Sequence, residues 1–573
     1  MKLKIIQPET NTLEAYLKAA AEAVGCKTEE EITEFLSPSP SIRNTINALP
    51  DYIKGKDRLR KAVAHHERIL IYGDYDCDGI TSLVQMLDLL EAVEHTNPAW
   101  FIPDRMADDY GLKQSGVERC IEKYHPQLLI TVDCGSNSFN EIRWLKNQGV
   151  DCIVIDHHGV VESSDSHPAV AHMNPKAFAQ NNPHVMALAE MSTAGLVFLF
   201  CEQFCKDNRI GEWDRNRALL LAGLGTLVDV MPLTGVNRAL VKHSLGLANN
   251  PQDLQRVPGL VALKRICGTG HVRSSTYGFQ WGPRLNATGR LEEAKVSVKL
   301  LLTKNESEAM PFAEACDKTN TERQKLQAEM VEEAIAQALP KVDNRVLILA
   351  QKDWHPGIVG IVASKVKDKF FRPAIVCGWH KEGDFWKGSG RSVEGFDLGD
   401  ATEDAVNAGV LLRGGGHKMA CGLCVDEDKL ALLEDFMNSM CTLTNDDFLP
   451  RYTVLGDAFN LDSDSWIDIF QRLEPFGNSN PKPRLLIEGA RLLWSKEVRK
   501  NDGEVWAVKA GFRCDDGPDK LLYLTWTDLQ RAESEWQKGA DYRMVVSLSR
   551  SEKQADDETT VYHNWRIEDC ERI

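Results

Sequence analysis

Acidic residues and histidines follow three apolar runs of the sequence, at the points where those runs end. The runs are 69–71, 127–132 and 152–155, and the residues that follow them are Asp74, Asp76 and Asp78 in GDYDCDG, Asp133 in DCG, and Asp156, His157 and His158 in DHHG. Helical patterns separate the runs, as in a parallel sheet, whose active crevice lies beyond the carboxyl ends of its strands. The acids should therefore converge there and need a cation, and mixed carboxylate and imidazole ligands suit Mn²⁺ or Mg²⁺ better than structural zinc.

Two other metal interpretations are weaker. GDYDCDG resembles the first half of an EF-hand loop, but Gln85 and Met86 occupy the region where the bidentate glutamate would stand, so calcium is not expected. Cys421 and Cys424 form a CxxC pair without a second pair at metal spacing, so we predict buried thiols there.

The elements that must position these residues are spread over several domains. A chain of 573 residues exceeds the size of one hydrophobic core. We predict an α/β protein with a parallel-sheet domain, a long linking helix, a smaller α/β domain and a small β-barrel or sandwich. The predicted bounds are a helical lead-in at 1–66, then 67–300, 301–340, 341–440 and 452–573. The glycine- and serine-rich stretches 388–392 and 414–417 predict turns.

Composition restricts the partners of this chain. The net charge is −17, which gives no support to non-specific nucleic-acid binding unless basic groups line a channel or metal ions add positive charge. No apolar run reaches the ~18–20 residues of a membrane helix, and no secretory signal is visible, so we expect a cytoplasmic protein without a membrane partner. The 15 scattered cysteines are expected to be reduced thiols.

Several motifs then resemble one family. GDYDCDG, TVDCG, DHH and LVDVMP stand in the order and spacing of the DHH phosphoesterase superfamily. GPRLNATGR, WHPGIVGIVASKV, SGRS and GGGHKMACG resemble its longer members, the single-strand-specific exonucleases of the RecJ type. This resemblance runs from about residue 69 to 423, and LEPFGNSNPKP at 473–483 also resembles the family. It implies a DHH domain, a DHHA1-like substrate-binding domain and an OB-like barrel.

The resemblance implies a metal-dependent exonuclease that degrades single-stranded DNA from the 5′ end to mononucleotides, in DNA repair and recombination. Two divalent metal ions, Mn²⁺ or Mg²⁺, would be its cofactors. The metal ligands that it implies are Asp74, Asp76, Asp78, Asp133, His157 and Asp229. Asp133 would bridge the two ions, and His158, Asp78 and Asp133 would be the catalytic residues, with His158 contacting phosphate.

The resemblance also implies DNA contacts. Arg284, Ser389 and Arg391 would form a pocket for the 5′-phosphate, Gly415 and His417 would approach phosphate nearby, and Arg105 and Tyr110 would grip the strand. Arg290 and His355 are also candidates, although Arg290 could instead pair with acids such as Glu292, and His355 could cap the following helix. The chain departs from the family pattern at two positions: Asp109 stands where the family usually has glycine, and Gly390 stands where alanine is common. Neither change removes a catalytic group, but both could alter the grip on DNA.

The partners implied are 5′-phosphorylated single-stranded DNA, a helicase and a single-strand-binding protein, and we expect a monomer. Residues 452–573 carry 17 Lys and Arg against 23 Asp and Glu, so the barrel binds DNA only if one face is basic. Trp494, Trp506 and Trp526 are candidates for base stacking, with core packing as the preferred interpretation. Two alternative functions stay open. One is a phosphoesterase for short oligonucleotides or nucleotide phosphates, and the other is a catalytically inactive DHH scaffold in replication.

Overall fold

The computed structural model describes the chain except at residues 40–45, 97, 104–110, 162–165, 179–181, 292–293, 382, 501–502, 515–520 and 556–557. The described residues form two compact units, one made of 1–282 with Arg451–Ile573 and the other of Pro283–Pro450. Among these residues, no helix combines the length and the apolar character needed to cross a lipid bilayer.

The N-terminal segment contains one strand and three helices: β1 (Lys2–Ile5), α1 (Leu13–Ala23), α2 (Glu29–Leu36) and α3 (Tyr52–Ala64). The prediction of a wholly helical lead-in is wrong for β1, which pairs in parallel with residues 451–454 near the far end of the chain. Leu3 packs there against a small cluster that includes Val454 and Val545. A strand of four residues becomes stable only through such a distant partner, so its local pattern gave no clear signal.

A parallel sheet forms the centre of the first unit. Its strands and helices are β2 (Ile69–Gly73), α4 (Cys77–Ala92), β3 (Ala99–Phe101), α5 (Gln114–Tyr124), β4 (Leu128–Val132), α6 (Phe139–Asn147), β5 (Asp151–Ile155) and β6 (Ala171–Met173). The strand order is β3-β2-β4-β5-β6, with all pairings parallel. The order reverses at β2, so the crevice between β2 and β4 is the expected ligand site of this sheet.

Helices complete this part of the first unit: α7 (Pro183–Met186), α8 (Thr193–Asn208), α9 (Arg215–Val228), α10 (Gly235–Asn249), α11 (Pro251–Leu254), α12 (Pro258–Ile266) and α13 (Ser274–Thr276), with a π-helical turn at Tyr277–Trp281. Both α8 and α9 pack against α4 and against each other. Most of their side chains are buried, which explains why their sequences are largely apolar on every side.

The second unit begins with helices α14 (Gly282–Leu291), α15 (Lys295–Leu302) and α16 (Glu306–Ala338). A mixed sheet follows, built from β7 (Leu347–Gln351), α17 (Val359–Phe370), β8 (Ala374–His380), β9 (Phe385–Arg391), α18 (Leu398–Asn407), β10 (Arg413–His417), β11 (Ala420–Val425) and α19 (Leu430–Met440). Its strand order is β10-β11-β9-β8-β7.

The two stretches predicted as turns are the strands β9 and β10, so that prediction is wrong. The glycines are needed for packing rather than for turning. A Cβ on Gly388 would lie 2.7 Å from Sγ of Cys377, and one on Gly416 would lie 2.2 Å from the carbonyl oxygen of Ala420. Cys421 and Cys424 lie buried on β11, as predicted for core thiols.

The C-terminal region is a closed barrel. Its elements are β12 (Arg451–Asp457), α20 (Ser463–Leu473), β13 (Arg484–Arg499), β14 (Val505–Cys514), β15 (Leu521–Trp526), α21 (Leu529–Glu535), β16 (Asp541–Ala555) and β17 (Glu558–Arg572). The path β13-β14-β15-β17-β16 closes because β13 also pairs with β16. The predicted fold class, with a parallel sheet, a smaller α/β domain and an OB-like barrel, is therefore confirmed.

Candidate active site

The loop after β2 is shaped by hydrogen bonds from its own backbone. Asp76 caps α4, and its Oδ1 accepts the N–H groups of Asp78 at 3.0 Å and Gly79 at 3.2 Å. A Cβ at position 79 would lie 2.6 Å from the carbonyl oxygen of Asp74, so only glycine fits. This tight turn brings Asp74, Asp76 and Asp78 together at the carboxyl end of β2.

The carboxylates of Asp78 and Asp133 are held by the first residues of α8. Asp78 accepts the N–H groups of Thr193 and Ala194, each at 2.8 Å, and Asp133 accepts the Thr193 hydroxyl at 2.9 Å. Asp133 itself has a left-handed φ of 65° directly after β4. Thr193 is a residue that sequence reasoning missed. Ser192 caps a strongly apolar helix that begins at Thr193, and this cap signal could have pointed to both residues.

Asp156 supports the two histidines that follow it. Its Oδ1 accepts the N–H groups of His157 and His158 and lies 2.7 Å from Nδ1 of His158, while Oδ2 accepts the N–H of Ser136. Asn174 donates to both Ser136 Oγ and the carbonyl oxygen of His158. Asp156 is therefore a supporting residue whose hydrogen-bonding capacity is already used. Ser136 and Asn174 were not foreseen, because single polar residues in loops give no sequence signal.

His157 lies among the acids. Its Nε2 is 3.5 Å from Asp133 Oδ1, 3.5 Å from Asp229 Oδ2 and 3.9 Å from Asp78 Oδ2. Ligand atoms within 4.8 Å of one another form three groups: Asp133 with His157 and His158, Asp78 with His157 and Asp229, and Asp74 with Asp76 and Asp133. The structure thus brings all six predicted metal-ligating residues together, along with His158, and both Asp133 and His157 belong to two groups.

The electrostatics of this cluster favour a bound cation. Burial and the neighbouring Asp76 carboxylate raise the pKa of Asp78 to about 7. Burial, reinforced by the Asp78 and Asp76 carboxylates, raises the pKa values of Asp133 and Asp229 well above the usual range. Burial, together with the nearby charge of His158, lowers the pKa of His157 to about 3, so its imidazole is neutral, the form that ligates metals.

The donor set fits divalent ions. The Oδ2 atom of Asp229 is buried and has no hydrogen-bond partner within the described part of the chain. Such an atom, in a cluster of repelling carboxylates with a neutral imidazole, is satisfied when a cation binds. Oxygen ligands with one or two imidazoles suit Mn²⁺ or Mg²⁺.

The predicted phosphate-contacting residues of the second unit already have protein partners. Arg391 donates from Nη1 to Ser389 Oγ at 3.0 Å and to the carbonyl oxygen of Gly390 at 2.8 Å. Arg284 pairs with Asp317 at 2.8 Å. The edge strand β10 carries the exposed Gly415 and His417. The structure thus places Ser389 and Arg391 together on β9.

Arg290 and His355 make structural contacts at one turn. Nη1 of Arg290 donates to the carbonyl oxygen of Gly357 at 3.0 Å, and Nδ1 of His355 accepts the Gly357 N–H at 3.0 Å. These contacts fix the turn that leads into α17. Arg105 and Tyr110 lie outside the described residues, as does Glu292.

Two of the three tryptophans differ from the preferred interpretation. Trp526 is buried, whereas Trp494 is 37% exposed and Trp506 is 43% exposed. The core interpretation is therefore wrong for these two. Trp494 lies over Gly511, where a Cβ would be 2.5 Å from the indole Nε1, and this packing leaves part of the ring at the surface.

Comparison with known proteins agrees with this geometry. Residues 68–225 match the DHH family, N-terminal domain, and residues 343–442 match the DHHA1 domain. The single-stranded-DNA-specific exonuclease RecJ of Escherichia coli (strain K12) is 33% identical over 480 residues, which cover 80% of this chain and 81% of that protein. RecJ of Bacillus subtilis (strain 168) is 35% identical over 464 residues, and the match covers 80% of this chain but 56% of that longer relative.

Solved structures of the same family also match. The crystal structure of RecJ in complex with Mn²⁺ from Thermus thermophilus superposes with a TM-score of 0.79 at 24% identity, covering 100% of this chain and 79% of that one. A structure of exonuclease RecJ bound to manganese gives a TM-score of 0.57 at 30% identity, covering 70% of this chain and 96% of that one. The 33% identity with RecJ of Escherichia coli over most of both chains, together with the two matching domains and the acidic cluster at the switch point, leads to one conclusion: the chain belongs to the RecJ family of single-stranded-DNA-specific exonucleases.

Proposed function

We propose that this protein is a metal-dependent exonuclease that hydrolyses single-stranded DNA from the 5′ end to mononucleotides. The observation that carries the proposal is the overlapping set of ligand groups, which share Asp133 and His157, in a chain of the RecJ family. Three groups that overlap through shared residues suit a pair of neighbouring ions, and a pair of ions suits in-line phosphodiester hydrolysis.

The residues of the cluster would hold two divalent ions, Mn²⁺ or Mg²⁺. When bound, these ions supply Lewis-acid polarisation of the scissile phosphate and activate water near neutral pH. Asp133 takes part in two groups and would contribute to holding both ions, while Thr193 fixes its Oδ1 by a hydrogen bond of 2.9 Å. The backbone N–H groups of Thr193 and Ala194 fix Asp78 in the same way.

His158 contacts the phosphate. The Asp156 carboxylate can only accept a hydrogen bond, so Nδ1 of His158 carries the proton and donates it to Asp156. The other ring nitrogen, Nε2, is then left to contact the substrate. The same contact with Asp156 raises the pKa of His158 against the opposing effect of burial. The ring therefore retains positive charge closer to neutral pH, which favours donation to a phosphate oxygen.

The polarity of cleavage comes from the second unit. Arg391 and Ser389, with Arg284, bind the terminal 5′-phosphate, for which a guanidinium fork is well suited. An incoming phosphate competes with the present partners of these groups, Asp317 for Arg284 and the Gly390 carbonyl oxygen for Arg391. Arg105, Tyr110, Gly415 and His417 contribute to the grip on the strand.

One face of the acidic barrel carries aromatic rings with lysines beside them. Lys496 lies 5.9 Å from the ring of Trp494, and Lys509 lies 5.6 Å from the ring of Tyr523. The Trp494 and Tyr523 rings are 5.9 Å apart, and Tyr523 is 52% exposed. Rings that offer a face to bases, with cations for phosphates, form a platform for a single strand despite the negative charge of the whole barrel.

The experiment follows radiolabelled strands of one sequence with a 5′-phosphate, a 5′-hydroxyl or a complementary strand, in Mn²⁺ or Mg²⁺. We expect mononucleotides to be released from the 5′ end, fastest for the phosphorylated single strand and not from blunt duplex. Asp133→Asn should be inactive, while Asp57→Asn, an exposed aspartate on α3, should retain full activity.

Release from the 3′ end, equal cleavage of duplex, or hydrolysis of dinucleotides alone would contradict the proposal. The last result would favour a phosphoesterase for short oligonucleotides, and the absence of any hydrolysis would favour an inactive scaffold. We also propose that the enzyme is a monomer in the cytoplasm and that it works with a helicase and a single-strand-binding protein.

A further inference from the structure

The helix α9 ends directly before the proposed metal ligand Asp229, in a turn of unusual composition. The N–H of Val230 donates to the carbonyl oxygen of Leu227 at 3.1 Å, and that of Met231 donates to the carbonyl oxygen of Thr226 at 3.2 Å. This is a Schellman arrangement, which places Val230 in the left-handed region with a φ of 60°. Glycine usually occupies that position, because a β-branched side chain disfavours it.

The C-terminal region contacts this turn on both sides. Nδ2 of Asn478 donates to the carbonyl oxygen of Val230 at 2.9 Å. The backbone carbonyl oxygen of Asn478 accepts the N–H of Leu233, also at 2.9 Å. Asn478 therefore spans residues 230–233 from a position more than two hundred residues later in the chain.

The segment that presents Asn478 is itself firmly held. Asn480 donates to the carbonyl oxygens of Leu473 at 2.9 Å and Pro475 at 2.8 Å. The guanidinium of Arg238 on α10, which is 1% exposed, donates to the same two carbonyl oxygens. Residues 473–480, which include most of LEPFGNSNPKP, thus form a rigid clamp against the helices of the parallel-sheet domain.

We infer that Asn478 is a positioning residue for the metal ligand Asp229. The inference rests on the proposed function, because it concerns the affinity of that site for its metal. The Asp229 Oδ2 atom has no hydrogen-bond partner among the described residues and lies 3.5 Å from Nε2 of His157. Because no hydrogen bond from the described residues holds Oδ2 in place, the direction in which the Asp229 carboxylate points depends on the backbone turn that Asn478 contacts.

This role gives the C-terminal region a function at the metal site that does not require DNA contact. It also explains why a valine can occupy the left-handed position after the ligand. The hydrogen bond from Asn478 and the bond to Leu233 stabilise a conformation that the side chain of Val230 disfavours. Without Asn478, the turn should sample conformations that displace Asp229.

The experiment measures Mn²⁺ binding by calorimetry and unfolding of the metal-free protein for four forms of the full chain. These are the wild type, Asn478→Ala, Asn478→Ala combined with Val230→Gly, and Asn460→Ala. Asn460 is the control, because it is also an exposed asparagine in the C-terminal region and its amide donates to Tyr16. Changes to groups that orient metal ligands typically weaken metal binding by about 10–100-fold, and a group that acts through the backbone should lie at the lower end of that range.

We expect Asn478→Ala to weaken Mn²⁺ binding about tenfold with a nearly unchanged unfolding temperature, and Asn460→Ala to bind as the wild type does. Glycine adopts the left-handed conformation freely, so Val230→Gly should restore much of the lost affinity. Unchanged Mn²⁺ affinity in Asn478→Ala would overturn the inference while leaving the proposed function intact. If Asn478→Ala unfolds, failure of the double variant to regain both fold and affinity would overturn it. Absence of Mn²⁺ binding by the wild type would instead overturn the proposed function, and the inference with it.

Discussion

The acidic loops of the first unit and the basic, glycine-rich strands of the second unit are built on opposite principles. In the acidic loops, burial and mutual repulsion raise the pKa values of Asp78, Asp133 and Asp229. In the second unit, Arg284 has a carboxylate partner and Arg391 has a hydroxyl and a carbonyl partner. The carboxylates of the first region need a bound cation to offset their mutual repulsion, whereas the arginines of the second region already have hydrogen-bond partners within the protein.

The two regions therefore affect the stability of the protein in opposite ways. Clustered buried carboxylates reduce the stability of the metal-free fold, and bound cations restore it. When a phosphate replaces the present partners of a paired arginine, the free energy of binding changes little, because one set of hydrogen bonds is exchanged for another. Substitutions in the acidic cluster should therefore have large effects, and substitutions at the arginines should have smaller, substrate-specific effects.

The largest effect is expected for Asp133→Asn. We expect activity to fall by at least about a thousandfold, because the residue proposed as the shared ligand of the two ions would lose its charge. The metal-free variant should nevertheless unfold at a higher temperature than the wild type, because one repelling charge is removed. Calorimetric unfolding with and without Mn²⁺ checks this, with Asp57→Asn as control. A lower metal-free unfolding temperature would contradict the account of repulsion.

Stabilisation by Mn²⁺ should increase with pH. The pKa of Asp78 in the metal-free fold is about 7, above its unfolded value of about 4. The contribution of this group to metal-free stability is therefore full below about pH 4 and is lost as the pH rises through about 7. Because Mn²⁺ competes with protons for the same oxygens, its effect on the unfolding temperature should be larger at about pH 8 than at about pH 6. A shift that does not depend on pH would show that protons and metal do not compete.

Arg391→Ala should reduce the preference for a 5′-phosphate about tenfold and leave Mn²⁺ affinity unchanged. The preference is the ratio of rates on 5′-phosphorylated and 5′-hydroxyl strands of one sequence. Arg345→Ala removes an exposed arginine from the same unit and serves as the control. If Arg391→Ala lowers both rates equally, the arginine does not read the terminal phosphate.

The smallest effect on cleavage itself is expected at the barrel. Trp494→Ala should weaken the binding of long single strands by about 1–3 kcal/mol, the usual value of one stacked base, and leave cleavage of very short strands unchanged. Leu432→Ala, an exposed apolar residue on α19, is the control for loss of surface area. If Trp494→Ala weakened the binding of short and long strands equally, the effect would lie at the active site and not at the barrel.

Short motifs at the ends of apolar strands could be predicted well. The three runs before Asp74, Asp133 and Asp156 appear as β2, β4 and β5, and the family resemblance is confirmed. Strands buried on both faces are apolar throughout, so their ends are visible in the sequence. Glycine runs do not distinguish a turn from a closely packed strand, because both need a residue without a side chain, and this is why the turns predicted at β9 and β10 are wrong.

The family, the order of the domains and the residue types of the acidic cluster could be read from the chain alone, because these depend on local patterns and on motif spacing. Three features are visible only in the folded protein: β1 pairs with β12, Thr193 and Asp156 hold the cluster, and Asn478 donates a hydrogen bond to Val230. Each of these contacts joins a common polar residue or a short strand to a distant partner. Such pairings leave no periodic pattern in the chain, because their partners are chosen by the folded arrangement alone.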